Sequence, residues 1–377
     1  MVTPIDIKYS YRGTEYWVYE CAKYLRSQGI DARILVTSNR EVNSQVRNFG
    51  AVREFASVPQ TEIANSKLTL PLNLKITTYN NLPTDSIIYL PYSIYDYLIN
   101  LIRKPYGQKY VIGAHSMHLK NGHIVKGHDL LERLLNGLVK AMVFSRKEAR
   151  ENIYHHVVNR AQEKYLMQLG IRKDHIFCIP PFIDVKNFRM SHSIGKKLNV
   201  IHMGGRSKGA EIIIDVLEAL ERSGDLELFE FYFIGADQPT SLIEFSKEHK
   251  NVHVLGPVDE KLKIDILVRM DVIVIPAVEN FSRAMLEGLA SGLYVVSNSM
   301  NQSAQEIAKM GAELTVTKSD EEYIDVLGKL AAGKIGGRMK TCKAKNRMVA
   351  MRFDRTTIMP LMGKMFIKIY NNNHVWD

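Results

Sequence analysis

Residues 271–297 constrain the fold of this 377-residue chain more than any other stretch. Val272–Ile275 is a short β-branched run closed by Pro276, a pattern typical of a buried parallel strand. Arg283–Ala290 consists mostly of good helix formers, and Gly292 follows as a usual helix stop. The stretch therefore predicts strand, loop, helix and second strand, the repeating unit of a parallel α/β sheet.

Two glutamates in this stretch indicate a binding site. Glu279 follows the carboxyl end of the predicted strand, and Glu287 lies about one turn into the helix among apolar neighbours. A carboxylate in such surroundings is costly unless hydrogen-bond donors reach it. The helix N-terminus between the two glutamates favours an anion. A phosphorylated, hydroxyl-bearing ligand such as a nucleotide sugar fits both features. The alternative is an ordinary βα unit whose glutamates face solvent.

The stretch resembles the acidic signature of retaining GT-B glycosyltransferases of family four, the glycogen-synthase-like group. The chain has seven residues between its two glutamates, as that signature does. The positions that match the signature are Pro276, Glu279, Phe281, Glu287, Ala290, Gly292, Val295 and Val296. The positions that depart from it are Ala277, Asn280, Ser282, Gly288 and Tyr294.

Further motifs of the same family follow in the expected order. Residues 199–209 match its strand-Gly-Arg-spacer-Lys-Gly element, although one residue separates Arg206 from Lys208 where the family usually has several. Residues 179–188 match its interdomain element. The resemblance implies that Gly205 and Gly235 end strands beside the donor and that the Pro257-Val258 loop meets the nucleobase.

The first half matches more loosely. Residues 11–16 look like the family's glycine-containing loop, so Gly13 is expected to approach the donor phosphate. The resemblance also places His115 at the donor sugar, with His118 as a weaker candidate. The pair His155-His156 is predicted to lie on the surface. Neither Cys nor carboxylate completes a metal site with His115 and His118, so no metal site is predicted.

The resemblance implies a role for each matched side chain. Arg206 and Lys208 stabilise the leaving diphosphate, Glu279 holds the sugar, and Glu287 accepts from the ribose hydroxyls. Remaining donor contacts are expected from Asn280, Phe281, Ser282 and Arg283. The chain has no Asp-x-Asp pair of the kind that holds a metal on the nucleotide in GT-A enzymes. No metal or other cofactor is therefore expected.

Helix and strand patterns alternate along both halves, which favours two α/β domains. In the first half, strands are predicted at 32–37, 75–78, 87–90, 109–113, 141–144 and 175–179, and helices at 17–27, 94–102, 130–138 and 160–169. In the second half, further strands are predicted at 199–203, 228–234 and 252–255, and helices at 210–222, 261–270 and 356–370.

The predicted fold is GT-B: two Rossmann-like domains facing each other across a cleft. Residues 1–183 form the acceptor-side domain, and residues 184–353 form the nucleotide-sugar-binding domain. The segment 180–184, which begins with two prolines, breaks the chain between them. Residues 354–377 contain a helix that returns to the first domain.

Charge is distributed unevenly along the chain. Residues 1–183 carry 24 Lys and Arg against 15 Asp and Glu, residues 184–333 carry 16 against 23, and residues 334–377 carry 10 against 2. The basic first half and tail favour an anionic acceptor or an anionic membrane surface. A merely solvated surface is the alternative. Three widely spaced cysteines indicate a reducing compartment, and neither a signal peptide nor an apolar membrane span is recognisable.

These features predict a metal-independent retaining glycosyltransferase that moves a sugar from an α-linked nucleotide sugar to a hydroxyl acceptor. We expect it in the cytoplasm, with peripheral attachment to the inner membrane surface as a variant. A glycosyltransferase that acts on DNA remains an alternative because the first half is basic. A non-catalytic nucleotide-sugar-binding protein and a nucleotide-sugar epimerase of the same fold also remain open.

Overall fold

The computed structural model of the protein describes residues 2–3, 13–32, 34–36, 60–62, 86–90, 109–113, 119–120, 123–124, 151–192, 195–333 and 338–371. The chain divides into two compact units, Met1–Pro180 with Met359–Asp377, and Pro181–Ile358. The boundaries predicted after residues 183 and 353 lie close to these divisions. The divisions assign most of the last helix to the first unit.

The first unit is built on parallel strands. Its described elements are β1 (Val2–Thr3), α1 (Gly13–Ser27), β2 (Ile34–Val36), β3 (Gln60–Glu62), β4 (Ile87–Leu90), β5 (Lys109–Gly113), β6 (Leu119–Lys120), β7 (His123–Ile124), β8 (Ile153–Val157), α2 (Arg160–Gln168) and β9 (Ile176–Cys178). Strands β1-β2-β3 form one parallel sheet and β4-β5-β8-β9 another, while β6 and β7 form an antiparallel pair. The strands predicted at 75–78 and 141–144 and the helices at 94–102 and 130–138 lie outside the described residues.

Strand β8 corrects the prediction for the histidine pair, which is buried rather than on the surface. His155 is 5% exposed and His156 is fully buried. The Nε2 of His156 donates to the carbonyl of Ile179 at 2.8 Å, so its Nδ1 accepts from the hydroxyl of Tyr89 at 2.7 Å. Burial lowers the pKa of His156 to about 4, although the Ile179 hydrogen bond opposes this. A neutral histidine with both ring nitrogens hydrogen-bonded, as His156 is, is compatible with a buried strand.

The second unit contains one sheet of six parallel strands with helices between them. Its elements are β10 (Leu198–Met203), α3 (Ala210–Ser223), β11 (Phe229–Ile234), α4 (Thr240–Glu248), β12 (Val252–Gly256), α5 (Glu260–Leu267), β13 (Val272–Ile275), α6 (Arg283–Ala290), β14 (Tyr294–Asn298), α7 (Gln302–Lys309), β15 (Leu314–Thr317), α8 (Asp320–Gly333) and α9 (Arg338–Met351). The strand order is β12-β11-β10-β13-β14-β15. This is the doubly wound order of a Rossmann fold, with its topological switch point between β10 and β13.

Helices cover both faces of this sheet. Ile273 and Ile275 of β13 join one buried apolar cluster, whereas Val272 and Val274 join the other. All four side chains are at most 4% exposed. A strand buried on both faces reads as a continuous apolar run, which is why its bounds agree with the sequence prediction.

A last helix, α10 (Arg355–Asn371), begins in the second unit and continues into residues assigned to the first. The carboxylate of Asp354 precedes it and accepts from the backbone amides of Thr356 at 2.9 Å and Val185 at 3.0 Å. Because the side chain satisfies amides on two segments, it fixes where this helix starts. No helix in the described part of the chain combines the length and apolarity needed to cross a bilayer.

Two helical glycines differ in the space around them, which gives a matched test of packing. A Cβ on Gly288 of α6 would lie 2.6 Å from Cγ2 of Ile273, while a Cβ on Gly328 of α8 would meet nothing within 4 Å. Overpacking a core typically costs about 1–3 kcal/mol, and alanine is worth about 0.5–1 kcal/mol over glycine inside a helix. We expect Gly288→Ala to lower the free energy of unfolding and Gly328→Ala to raise it. Urea denaturation measures both, and shifts of the same sign would contradict the packing at Gly288.

Candidate functional site

A glycine turn follows β10 at the switch point. Gly204 has a φ of +140°, in a region that L side chains rarely adopt. The amide of Arg206 donates to the carbonyl of Asp237 at 3.0 Å. A Cβ on Gly205 would clash with the carbonyl oxygens of Ala236 and Asp237. Only glycine fits at Gly205 without movement of the backbone, so the turns after β10 and β11 lie against each other.

An ion pair joins the loops that follow β10 and β13. Lys208 closes the short 3-10 turn Arg206–Lys208, and its Nζ contacts Oε1 of Glu279. The lysine side chain is 50% exposed, whereas the glutamate side chain is only 10% exposed. Gly209 has a φ of +80° and a Cβ there would lie 3.0 Å from Pro276, so the two loops are in close contact. A positive charge paired with a mostly buried carboxylate therefore lies at the switch point, where ligands of such sheets bind.

Arg206 is oriented differently from Lys208. Its guanidinium lies 3.9 Å from both Glu211 and Asp237, and the side chain is 48% exposed. These contacts are long for charge-assisted hydrogen bonds. Of the two predicted cations, the structure brings Lys208 to Glu279 and leaves Arg206 at the edge of the same turn.

Glu287 is held by two cations in the second unit. Its side chain is 5% exposed, with Oε2 lying 3.0 Å from Nζ of Lys263 and Oε1 lying 3.1 Å from Nε of Arg283. Burial raises the pKa of Glu287, but the charges and hydrogen bonds of Lys263 and Arg283 outweigh it and leave the pKa below its ordinary value. The donors that a buried carboxylate requires are thus present.

The loop between the two glutamates leads into α6. Ser282 is the N-cap, and its hydroxyl accepts from the amide of Met285 at 3.3 Å. Asn280 is buried, and Phe281 is half-buried against Phe353 with 5.4 Å between the ring centroids. Ser282 and Phe281 therefore shape this loop through local contacts, and Ser282 matches the N-cap preference for hydroxyl side chains.

The remaining predicted donor residues lie on neighbouring turns or outside the described residues. Gly235 has a φ of +125°, and its amide donates to the carbonyl of Gly256 at 2.8 Å. Pro257 is exposed and Val258 half-buried in the loop after β12. Gly13 is the first residue of α1 in the first unit. His115 and His118 lie outside the described residues.

One family model matches part of the chain. Residues 198–332 match the family model Glyco_trans_1_4, described as glycosyl transferases group 1. The matched residues all lie within the second unit. No curated protein matches the sequence of the chain.

Solved structures extend the likeness beyond the residues that match this family model. The chain is similar to HepE of Anabaena in complex with UDP and glucose, at 16% identity and a TM-score of 0.60, covering 97% of this chain and 98% of that one. It is similar to sucrose-phosphate synthase of Thermosynechococcus elongatus, at 14% identity and a TM-score of 0.67, covering 96% and 94%. A glycosyltransferase of Rickettsia africae matches at 14% identity and a TM-score of 0.65, covering 100% and 98%. The predicted GT-B fold is therefore confirmed.

Lys263 is a site residue that the sequence analysis missed. It lies on α5, and the buried residues Ile266, Leu267 and Met270 follow it at helical spacing. Its ammonium also lies 6.0 Å from the ring centroid of Phe188. A lysine on the apolar stripe of an amphipathic helix needs a buried partner, and that pattern is the signal that could have found it. Among the described residues, no group of three His, Cys, Asp or Glu side chains could hold a metal ion.

The held carboxylate predicts a pH dependence of stability. Because the folded-state pKa of Glu287 lies below the unfolded value of about 4.3, its contribution is complete above that pH and is lost as pH falls through the folded-state pKa. A pKa difference of one corresponds to about 1.4 kcal/mol. The free energy of unfolding, measured with urea from pH 7 to 3, should fall less with acid in Glu287→Gln than in Glu313→Gln. The second variant is the control, because it alters only a surface pair with Lys345. Equal acid losses would contradict the assignment.

Proposed function

We propose that the chain transfers a glycosyl group from a UDP-sugar to a hydroxyl acceptor, with retention of anomeric configuration and without a metal ion. The bond between the anomeric carbon and the diphosphate oxygen breaks, and a bond from that carbon to the acceptor oxygen forms. The acceptor proton passes to the departing diphosphate on the same face. The Lys208–Glu279 pair at the switch point is the observation that carries the proposal.

Lys208 supplies the charge that the leaving group needs. Its half-exposed ammonium can turn from Glu279 to a diphosphate oxygen, or contact both. Arg206 stands two residues earlier on the same turn and is held only by long contacts, so it is able to add a second charge. Preorganised positive charge where negative charge develops is typically the largest contribution of a site to rate. Neutralisation by these side chains supports a reaction without metal.

The two glutamates bind hydroxyl groups at different places in this proposal. Glu279 accepts from the transferred sugar, since its buried carboxylate follows β13 directly beside Lys208. Glu287 accepts from the ribose, and Lys263 and Arg283 keep it ionised and oriented. The roles of Gly13 at the phosphate and of His115 at the sugar stay predictions from the family resemblance.

Uracil is the base that the comparisons favour. HepE has been solved with UDP and with UDP-glucose, and the fold of this chain matches it along nearly the whole length. The acceptor is proposed only as a hydroxyl compound, and the basic first half and tail favour an anionic one.

Thermal unfolding with UDP, GDP, ADP, TDP and their common sugars tests the proposal. A ligand at about 100 times its Kd stabilises by about 2.7 kcal/mol, so UDP should raise Tm visibly. Because the proposed site uses no metal, the rise should be the same in EDTA and in magnesium. Release of UDP from a UDP-sugar then establishes turnover, and NMR of the product's anomeric proton establishes retention. Stabilisation without release would favour a non-catalytic binding protein, and release stimulated by DNA would favour the DNA-modifying alternative. A response that disappears in EDTA would refute metal independence.

A further inference from the structure

The first unit contains a pocket that the proposed function does not use. It has a volume of about 300 Å³ and lies between α2, β9 and the part of α10 that belongs to this unit. Its apolar floor includes Phe177, Leu361 and Met365. The volume is at the lower end of the range for small-molecule sites, about 300–1,000 Å³.

Four cations and one carboxylate line this pocket: Arg160, Lys173, Lys364, Lys368 and Glu163. Glu163 is 6% exposed; it accepts from Arg160 at 2.6 Å and also contacts Lys173. One carboxylate thus offsets one of the four positive charges and fixes two of the cations in place. The lining keeps a net charge of +3.

The two lysines of α10 carry the unbalanced charge. Lys364 and Lys368 are one turn apart, so their like charges repel each other. Lys368 lies 5.6 Å from the ring centroid of Phe177, and within the part of the chain that the structure describes neither lysine has a carboxylate partner. An anion between them would remove the repulsion.

We propose that this pocket binds a phosphorylated amphiphile, with its phosphate between Lys364 and Lys368 and its apolar part against Phe177 and Leu361. A phosphate group has several charged oxygens, so it can accept from both ammonium groups. Inorganic phosphate alone would leave the apolar lining uncovered, since Leu361 is 39% exposed, so an apolar group on the ligand is expected to cover it. This site is separate from the donor residues of the second unit and does not depend on the proposed transfer reaction.

Flotation of the full chain with phosphatidylcholine vesicles, with and without phosphatidic acid, tests the proposal for a bilayer lipid. Monomeric short-chain phosphatidic acid, titrated calorimetrically, tests it for a free phosphate ester. We expect Lys364→Gln/Lys368→Gln to weaken binding by at least about tenfold, since each lysine close to an anionic surface adds to the attraction. The matched control is Lys23→Gln/Lys164→Gln, which removes two exposed charges of the same unit outside the pocket.

Cys178 lines the pocket and reports occupancy directly. Bound short-chain phosphatidic acid should slow its alkylation, as followed by mass spectrometry of its peptide. Leu361→Gln should weaken binding of the amphiphile and leave binding of inorganic phosphate unchanged. Equal losses of binding affinity in the two double variants would show that binding depends on general charge attraction, and would overturn the proposal. An alkylation rate of Cys178 that stays unchanged at saturating ligand would also overturn it. UDP binding measured in the same samples reports separately on the donor site.

Discussion

Replacing Lys208 by alanine is expected to lower kcat by about 10²–10³, the usual effect of removing one group that stabilises developing negative charge. Its ammonium contacts Glu279 at the switch point of the sheet and is the nearest fixed charge to that carboxylate among the described contacts. In the proposed reaction this charge meets the departing diphosphate, so its loss raises the barrier more than it weakens substrate binding. Steady-state kinetics with a saturating UDP-sugar measures the change.

A loss of folding must be separated from this loss of turnover. Lys208→Ala leaves Glu279 buried without its cation, which is destabilising. The double variant Lys208→Ala/Glu279→Gln removes that uncompensated charge, so it should recover stability without recovering kcat. Lys247→Ala, at an exposed lysine of the same unit, is the matched control and should leave kcat unchanged. If Lys208→Ala alone kept kcat within about threefold, the proposed role of the lysine would be wrong.

Elements with a strong local pattern could be predicted to the residue. The bounds of β13 and α6 agree with the sequence analysis, because a β-branched run and a block of helix formers are local signals. The pairing of Lys208 with Glu279 is different, since the two residues are 71 positions apart. The pairing follows from the position of β10 beside β13 in the sheet. The order of strands in a sheet cannot be predicted from local sequence periodicity.

Several features that the sequence analysis missed are buried polar residues. His155 and His156 stand in a strand that was not predicted, because paired histidines carry little strand signal. Their burial depends on partners as distant as Tyr89. Lys263 was missed because its partner Glu287 lies on another helix. In each case the polar group is acceptable inside only because tertiary structure supplies its partner.

Replacing Glu287 by glutamine is expected to raise the Kd for UDP by about 10–100-fold, since hydrogen bonds to a charged group contribute about 1.5–3 kcal/mol. An ionised carboxylate offers about four lone-pair sites. Lys263 occupies one on Oε2 and Arg283 one on Oε1, so each oxygen keeps a site for a ribose hydroxyl. Glutamine loses the charge and presents an amide donor toward two cations. Isothermal titration with UDP measures the change.

The ribose assignment is tested most directly with 2′-deoxy-UDP. If Glu287 accepts from the 2′-hydroxyl, the wild-type protein should prefer UDP, and the Glu287→Gln variant should bind the two nucleotides nearly equally. Glu260→Gln is the matched control: Glu260 contacts the same Lys263 at 2.9 Å but is 59% exposed, so the nucleotide preference should persist. An unchanged preference in Glu287→Gln would show that the carboxylate only holds Lys263 and Arg283 in place, and that other groups read the ribose.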